Sequence, residues 1–131
     1  MQITMQSIGT VHSQYRQKKD IPRQGFHDEN PIASIHLDEA YAPGLLGLSP
    51  GDKIVVLFYF HEAEAYELTF PFHRSGEMRG VFSTRSPKRP NGIGLSHVVV
   101  TKIQGPVLEF RNVDMLDGTP VLDIKPDITK D

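Results

Sequence analysis

Apolar residues along the chain recur mostly with a period of two or in short continuous runs, and both patterns favour strands over helices. "QITMQSIGTV" (Gln2–Val11) opens as one strand and "ASIHL" (Ala33–Leu37) reads as a second. "KIVVLFYF" (Lys53–Phe60) is too continuously apolar to keep a wet face, which makes it a central strand. In "YELTFPF", alternation puts Tyr66, Leu68, Phe70 and Phe72 on one side and Glu67 and Thr69 on the other. "LSHVVVTKI" (Leu95–Ile103), "PVLEFRNV" (Pro106–Val113) and "TPVLDI" (Thr119–Ile124) complete the set. Turn signals separate them at Ser49-Pro50-Gly51-Asp52, Gln104-Gly105-Pro106 and Asp117-Gly118. Only "DEAYAPGLLGL" (Asp38–Leu48) admits a short helix, interrupted at Pro43-Gly44. The predicted fold is mainly all-β, a small antiparallel β-barrel with one short helix and long functional loops; a sandwich is the alternative. Such a domain closes or covers its edges, sometimes by dimerising.

The 131 residues suit one domain spanning 1–131, with no repeat or composition break to mark a second. Hydrophobic residues at 38% and charged residues at 23% match a globular, turn-rich chain. No apolar run approaches a membrane span, and "MQITMQSIGTV" lacks the regions of a signal peptide, so no membrane association is expected. The absence of cysteine excludes disulfides, thiolate metal sites and cysteine nucleophiles, and fits a cytoplasmic protein. Two long segments are not explained by strands: Ser13–Asn30, polar and holding proline and glycine, and Ser83–Gly94. Long irregular segments on a small β scaffold are where function concentrates.

Charge singles out the second segment. From Met78 to Leu108 there is no Asp or Glu, while Arg79, Arg85, Lys88, Arg89 and Lys102 give the window +5. The chain as a whole is −2, so the remainder carries −7. That asymmetry points to an anionic partner at a defined place, though a solvated basic face would look the same. In "TRSPKRPNG", Pro87 and Pro90 restrict the backbone around Arg85 and Arg89, which lowers the entropic cost of gripping an anion. Arginine suits bidentate contact with phosphate or carboxylate and stacks on bases. An Arg-rich surface turn has the same composition. In "NGIGLS", Gly92 and Gly94 let the backbone approach a ligand, or serve as a hairpin pair; the strand-like "HVVV" that follows excludes a dinucleotide-binding helix.

"DMLDGTPVLDIKP" is the acidic counterpart, with Asp114 and Asp117 around a turn and Asp123 and Lys125 on one strand face. Its carboxylates suit ribose hydroxyls or a cation, and it lacks the further acids of a calcium loop. The six histidines show no metal-ligand spacing, so no metal is expected. His61 and Glu62 follow the central strand, where a pocket rim belongs. The residues alone thus reach a β-barrel-like domain binding an anionic or nucleotide-like ligand between a basic loop and an acidic turn.

Four stretches together carry a resemblance: "IGTVHS" (Ile8–Ser13), "PRQG" (Pro22–Gly25), "GVFSTRSPKRPNGIGLS" (Gly80–Ser96) and "DMLDGTPVLDIKP" (Asp114–Pro126). In this order, nearly end to end, the chain resembles the TsaA-like (TrmO) family. The resemblance implies an S-adenosylmethionine-dependent tRNA methyltransferase that methylates N6 of threonylcarbamoyladenosine beside the anticodon. It also implies a small β-barrel working as a homodimer with sites near the subunit boundary. Carried over by motif, the cofactor contacts are Pro22, Arg23 and Gln24, then His61 and Glu62, then Arg85 and Leu95, then Asp114 and Asp117. Lys88 and Arg89 are expected to meet RNA, and Arg85, Asp117, Lys125 and His61 are the candidates for catalytic roles.

Two departures stand out. Gly92 replaces the second proline of the family's Arg-Pro-Asn-Pro, and Asp127 stands where an aromatic usually follows Asp-Ile-Lys-Pro. The chain also ends at Asp131, without the C-terminal domain of longer members. These keep open a non-catalytic S-adenosylmethionine- or RNA-binding module, or a methyltransferase for a different substrate.

Overall fold

The computed structural model describes residues 1–21 and 31–128. Six strands close into an antiparallel barrel: β1 (Gly9–His12), β2 (Ile32–Leu37), β3 (Lys53–Tyr59), β6 (Ile93–Gln104), β7 (Val107–Arg111) and β8 (Pro120–Pro126). Their order around the ring is β1-β2-β7-β6-β3-β8. Two further strands, β4 (Thr69–Pro71) and β5 (Met78–Gly80), form a separate two-stranded hairpin.

The period-two pattern fills the barrel. Val11, Ile35, Ile54, Val56, Phe58, Val98, Val100, Leu108, Phe110 and Val121 are buried together, drawn from all six strands. Their neighbours in sequence point outward, as the pleat demands. The expected helix is the 3-10 segment Glu39–Leu45, anchored by buried Leu45. Pro43 lies inside it and brings no amide hydrogen, which keeps it short.

Three expectations are modified. The first strand begins at Gly9, not Gln2, because only Gly9–His12 find partners on β2, and Ile3 and Met5 stay exposed. "YELTFPF" supplies only Thr69–Pro71, paired with a strand at Met78–Gly80 that alternation did not reveal; Tyr66 and Leu68 are exposed. β3 buries only its inward side. Its outward Val55 and Leu57 are half-buried, and Tyr59 is 46% exposed.

Antiparallel closure also sorts the connections. Register pairs Tyr59 with Ile93 and Phe58 with Val121, so the end of β3 and the starts of β6 and β8 share one rim. Thr10 opposite Pro120 and His12 opposite Ser34 add the end of β1 and the start of β2. Ile32 opposite Arg111 adds the end of β7. The three long connections, 13–31, 60–92 and 112–119, therefore all leave at this rim. The opposite rim holds the 38–52 connection and the Gly105 turn.

At the loaded rim, Gly94 faces into the barrel, and a Cβ there would collide with the Phe58 ring. Core packing by itself thus requires the glycine. Gly94→Ala should cost about 1–3 kcal/mol through overpacking, read by urea denaturation. The same substitution in a Phe58→Leu background should cost less, because the opposing ring is gone.

Candidate functional site

A cleft of about 580 Å³ opens at the loaded rim. Its floor is apolar, built from Leu57 and Phe58 of β3 and from Met115 and Leu116 of the turn before β8. One wall is the Thr-Arg-Ser-Pro loop, contributing Thr84, Arg85, Pro87 and Arg89. His61 and Glu62, which follow β3, line the cleft too, together with Asp114 and Thr119. Ile93, Gly94 and Leu95 of β6 complete the edge, with Phe82 at the mouth, 78% exposed. Ile21 also lines the cleft, so the 13–31 connection reaches it. Pro22, Arg23 and Gln24 lie outside the described residues.

The two arginines of the loop are used differently. Arg89 turns back on its own loop, where Nη1 donates to the carbonyls of Thr84 (2.8 Å) and Ser86 (3.2 Å). The backbone of Ser86 in turn donates to Thr84 Oγ1 (3.3 Å), and Thr84 Oγ1 donates to the Val81 carbonyl (2.9 Å). Arg89 is therefore a brace that shapes the wall. Arg85 lines the cleft and, among the described residues, makes one longer side-chain hydrogen bond, Nη1 to the Leu95 carbonyl at 3.4 Å. Lys88 is exposed and sits 3.8 Å from Glu67 Oε1.

The acidic wall is fastened from beneath. Ser96 is buried on β6, and its hydroxyl donates a short hydrogen bond to Asp114 Oδ1, orienting that carboxylate. The "LSHVVV" motif contains Ser96, but inward pairing with Asp114 cannot be read from spacing alone. Asp117 lies outside the cleft lining. Its Oδ1 accepts from the Ser13 backbone (3.0 Å), and its own N–H donates to the Tyr15 carbonyl (2.7 Å). Ser13 Oγ donates to the Met115 carbonyl (2.8 Å), and the Gly118 N–H donates to the Val11 carbonyl (2.8 Å). Gly118 takes φ +86, the left-handed conformation that this Asp-Gly turn needs. These bonds staple the start of the 13–31 connection to the acidic turn.

Three other residues lie away from the cleft. Lys125 and Asp123 share an outward face of β8 and pair at 3.0 Å. Asp127 is at the opposite rim, where its backbone donates to Lys53 and its carboxylate accepts from His97 Nδ1 (2.9 Å). Within one chain, the replacement of an aromatic by Asp127 thus leaves the cleft untouched. On the outer face of β1 and β2 the rings of His12 and His36 lie 3.9 Å apart. Burial, and then the neighbouring charge of His12, hold the His36 pKa below its usual value. Among the described residues no group of three or more His, Asp or Glu is placed to hold a metal ion.

The staple makes a direct prediction. Asp117→Ala should lower stability by about 1–2 kcal/mol, since a partly buried backbone amide loses its acceptor. Asp117→Asn keeps the side-chain carbonyl and should retain most of that stability in denaturant unfolding.

The sequence model of the family described as tRNA-methyltransferase O N-terminal domain matches residues 10–130. A probable S-adenosyl-L-methionine-binding protein of Pyrococcus abyssi is 36% identical over 126 residues, covering 96% of this chain and 68% of that protein. The Homo sapiens tRNA (adenine(37)-N6)-methyltransferase is 34% identical over 130 residues, covering 94% of this chain and 30% of the human protein. The crystal structure of TrmO from Pseudomonas aeruginosa superposes with a TM-score of 0.83 at 35% identity, covering 98% of this chain. The chain spans 57% of that structure's length. With the family model matched over residues 10–130 and the fold shared at this similarity, the chain belongs to the TrmO N-terminal domain family.

Proposed function

We propose that the cleft binds S-adenosylmethionine and that the protein methylates N6 of an adenosine in tRNA, threonylcarbamoyladenosine beside the anticodon. The observation that carries this reading is the joining of arginines (Arg85, Arg89), carboxylates (Glu62, Asp114) and apolar residues around one cleft. The cofactor presents matching groups: a carboxylate, an ammonium, ribose hydroxyls and a flat adenine. A cleft of about 580 Å³ lies within the range of small-molecule sites.

Arg85 receives an anion, the Asp114 carboxylate held by Ser96 meets hydroxyls or the ammonium, and the apolar floor takes the adenine face. Glu62, the backbone at Leu95, and Pro22, Arg23 and Gln24 complete the cofactor contacts. When bound, the cofactor supplies a methyl group already activated on sulfonium. The protein's task is thus to align the N6 nitrogen in line with that methyl and to accept the departing N6 proton. His61, on the cleft beside the Asp-Gly turn, is the group assigned to take that proton. Asp117 acts through the segment it holds, not on the reacting atoms. Lys88 meets RNA phosphate, and Lys125 is taken up by Asp123.

The family relationship further supports a homodimer. The outward apolar side of β3 and β6, where Tyr59, Ile93 and Leu95 are exposed, suits contact with a second copy. No helix among the described residues is long and apolar enough to cross a membrane. We place the activity in the cytoplasm, where tRNA is met, and in a chain without cysteine.

Incubation with labelled S-adenosylmethionine and tRNA bearing threonylcarbamoyladenosine should yield a new N6-methyl nucleoside by mass spectrometry. Folded protein that binds the cofactor yet gives no such product on several tRNAs contradicts the tRNA reading. Arg85→Ala should weaken cofactor binding roughly ten- to hundred-fold in calorimetry, as expected for a lost charge-assisted hydrogen bond. Arg89→Ala should instead weaken it through a loosened loop, with a loss of stability that Arg85→Ala does not share.

A further inference from the structure

The basic side chains near the cleft divide into those already engaged and those that are not. Lys88 is opposed by Glu67, and Arg89 is spent on loop carbonyls. Among the described residues, Arg74, Arg79 and Arg85 enter no ion pair. Arg85 belongs to the cleft. The other two lie on the β4–β5 hairpin, a separate two-stranded sheet within the 60–92 connection.

That hairpin carries a stack of flat groups. Phe70 and Arg79 face each other across the strand pair, and Phe72 follows on the same side. The Arg79 guanidinium lies 4.4 Å from the centroid of the Phe72 ring. His73 packs beside them, its ring tilted 37° to that of Phe72 with centroids 4.6 Å apart. Arg74 stands next along the turn, exposed, and Glu77 is the lone carboxylate between Thr69 and Ser83. A guanidinium on an aromatic ring, with exposed cations beside it, matches the way unpaired nucleotides are gripped: bases on flat faces, phosphates on arginine.

The hairpin is also joined to the cleft wall. The Val81 N–H donates to the Leu68 carbonyl (2.9 Å), and the Glu67 N–H donates to the Lys88 carbonyl (3.2 Å). Phe82, at the cleft mouth, follows β5 by two residues. An RNA strand delivering a base to the cleft would therefore run over the hairpin next.

We propose that the β4–β5 hairpin is an RNA arm: the Phe72–Arg79 pair stacks an unpaired nucleotide flanking the target base, and Arg74 neutralises a phosphate. The arm rests on the reading of the cleft as an RNA-modifying site, and it is tested without turnover. The probe is a fluorescent anticodon stem-loop RNA, titrated with the full chain by anisotropy, with S-adenosylmethionine binding measured in parallel by calorimetry. Arg79→Ala and Phe72→Leu should each weaken RNA binding roughly five- to hundred-fold, the range for a lost stacked base. Both should leave cofactor affinity within about twofold, since neither residue lines the cleft. Arg74→Ala should make the salt dependence shallower by about 0.7 in log–log slope, one phosphate contact on a single strand.

Unchanged RNA affinity in folded Arg79→Ala and Phe72→Leu overturns the arm, as does a parent chain that binds no RNA. A change of molecular mass in either variant by light scattering also overturns it, showing that the hairpin meets a second protein chain instead. If the parent binds the stem-loop through the arm yet methylates no tRNA, the arm stands and the methyltransferase reading falls.

Discussion

The site depends on one constraint: β3 is paired antiparallel with both β6 and β8. That arrangement forces the end of β3 and the starts of its two neighbours onto one rim. The basic loop before β6 and the acidic turn before β8 are some thirty residues apart in sequence. They face each other only because both enter the barrel beside the same strand. The inward packing of Ile54, Val56 and Phe58 holds that pairing in place. Gly94 then gives the Phe58 ring room at the point where core becomes cleft floor.

Around this frame, polar side chains work mainly on the backbone. Arg89 collects loop carbonyls, Asp117 holds Ser13, and Ser96 fixes Asp114. Each costs little to bury because each is satisfied. Together they pre-organise a cleft that Arg85 and Glu62 also line. Pre-organisation of this kind is what methyl transfer from an activated donor asks of a protein, since alignment supplies most of the rate.

Much of this was legible in the order of residues. The pattern of alternation and short apolar runs located all six barrel strands, because each turns one face into the core. It failed at β5, whose three residues "MRG" carry no alternation and are exposed, and it overextended β1, where an apolar pattern found no partner strand. The continuous run in β3 was misleading for a functional reason. Its outward Leu57 and Tyr59 line the cleft, so their apolar character does not come from a second layer of the same chain. The charge asymmetry marked the basic loop, but composition could not divide its cations. Arg85 and Arg89 look alike in "TRSPKRP", and only the loop's fold turns Arg89 inward upon its own carbonyls. Ser96 left no signal, for its role comes from a contact made across the barrel's floor.

The account's central claim is that the rim between the Arg85 loop and the Asp114 turn receives the methyl donor. Titrating isotopically labelled protein with S-adenosylmethionine, and following backbone amide resonances, tests it most directly. The account predicts that the largest shifts fall at Glu62, Arg85, Leu95 and Asp114, while Lys53, Lys125 and the His12–His36 face stay still. Shifts centred on that His12–His36 face or on the Lys53 rim, with the cleft unmoved, would contradict it.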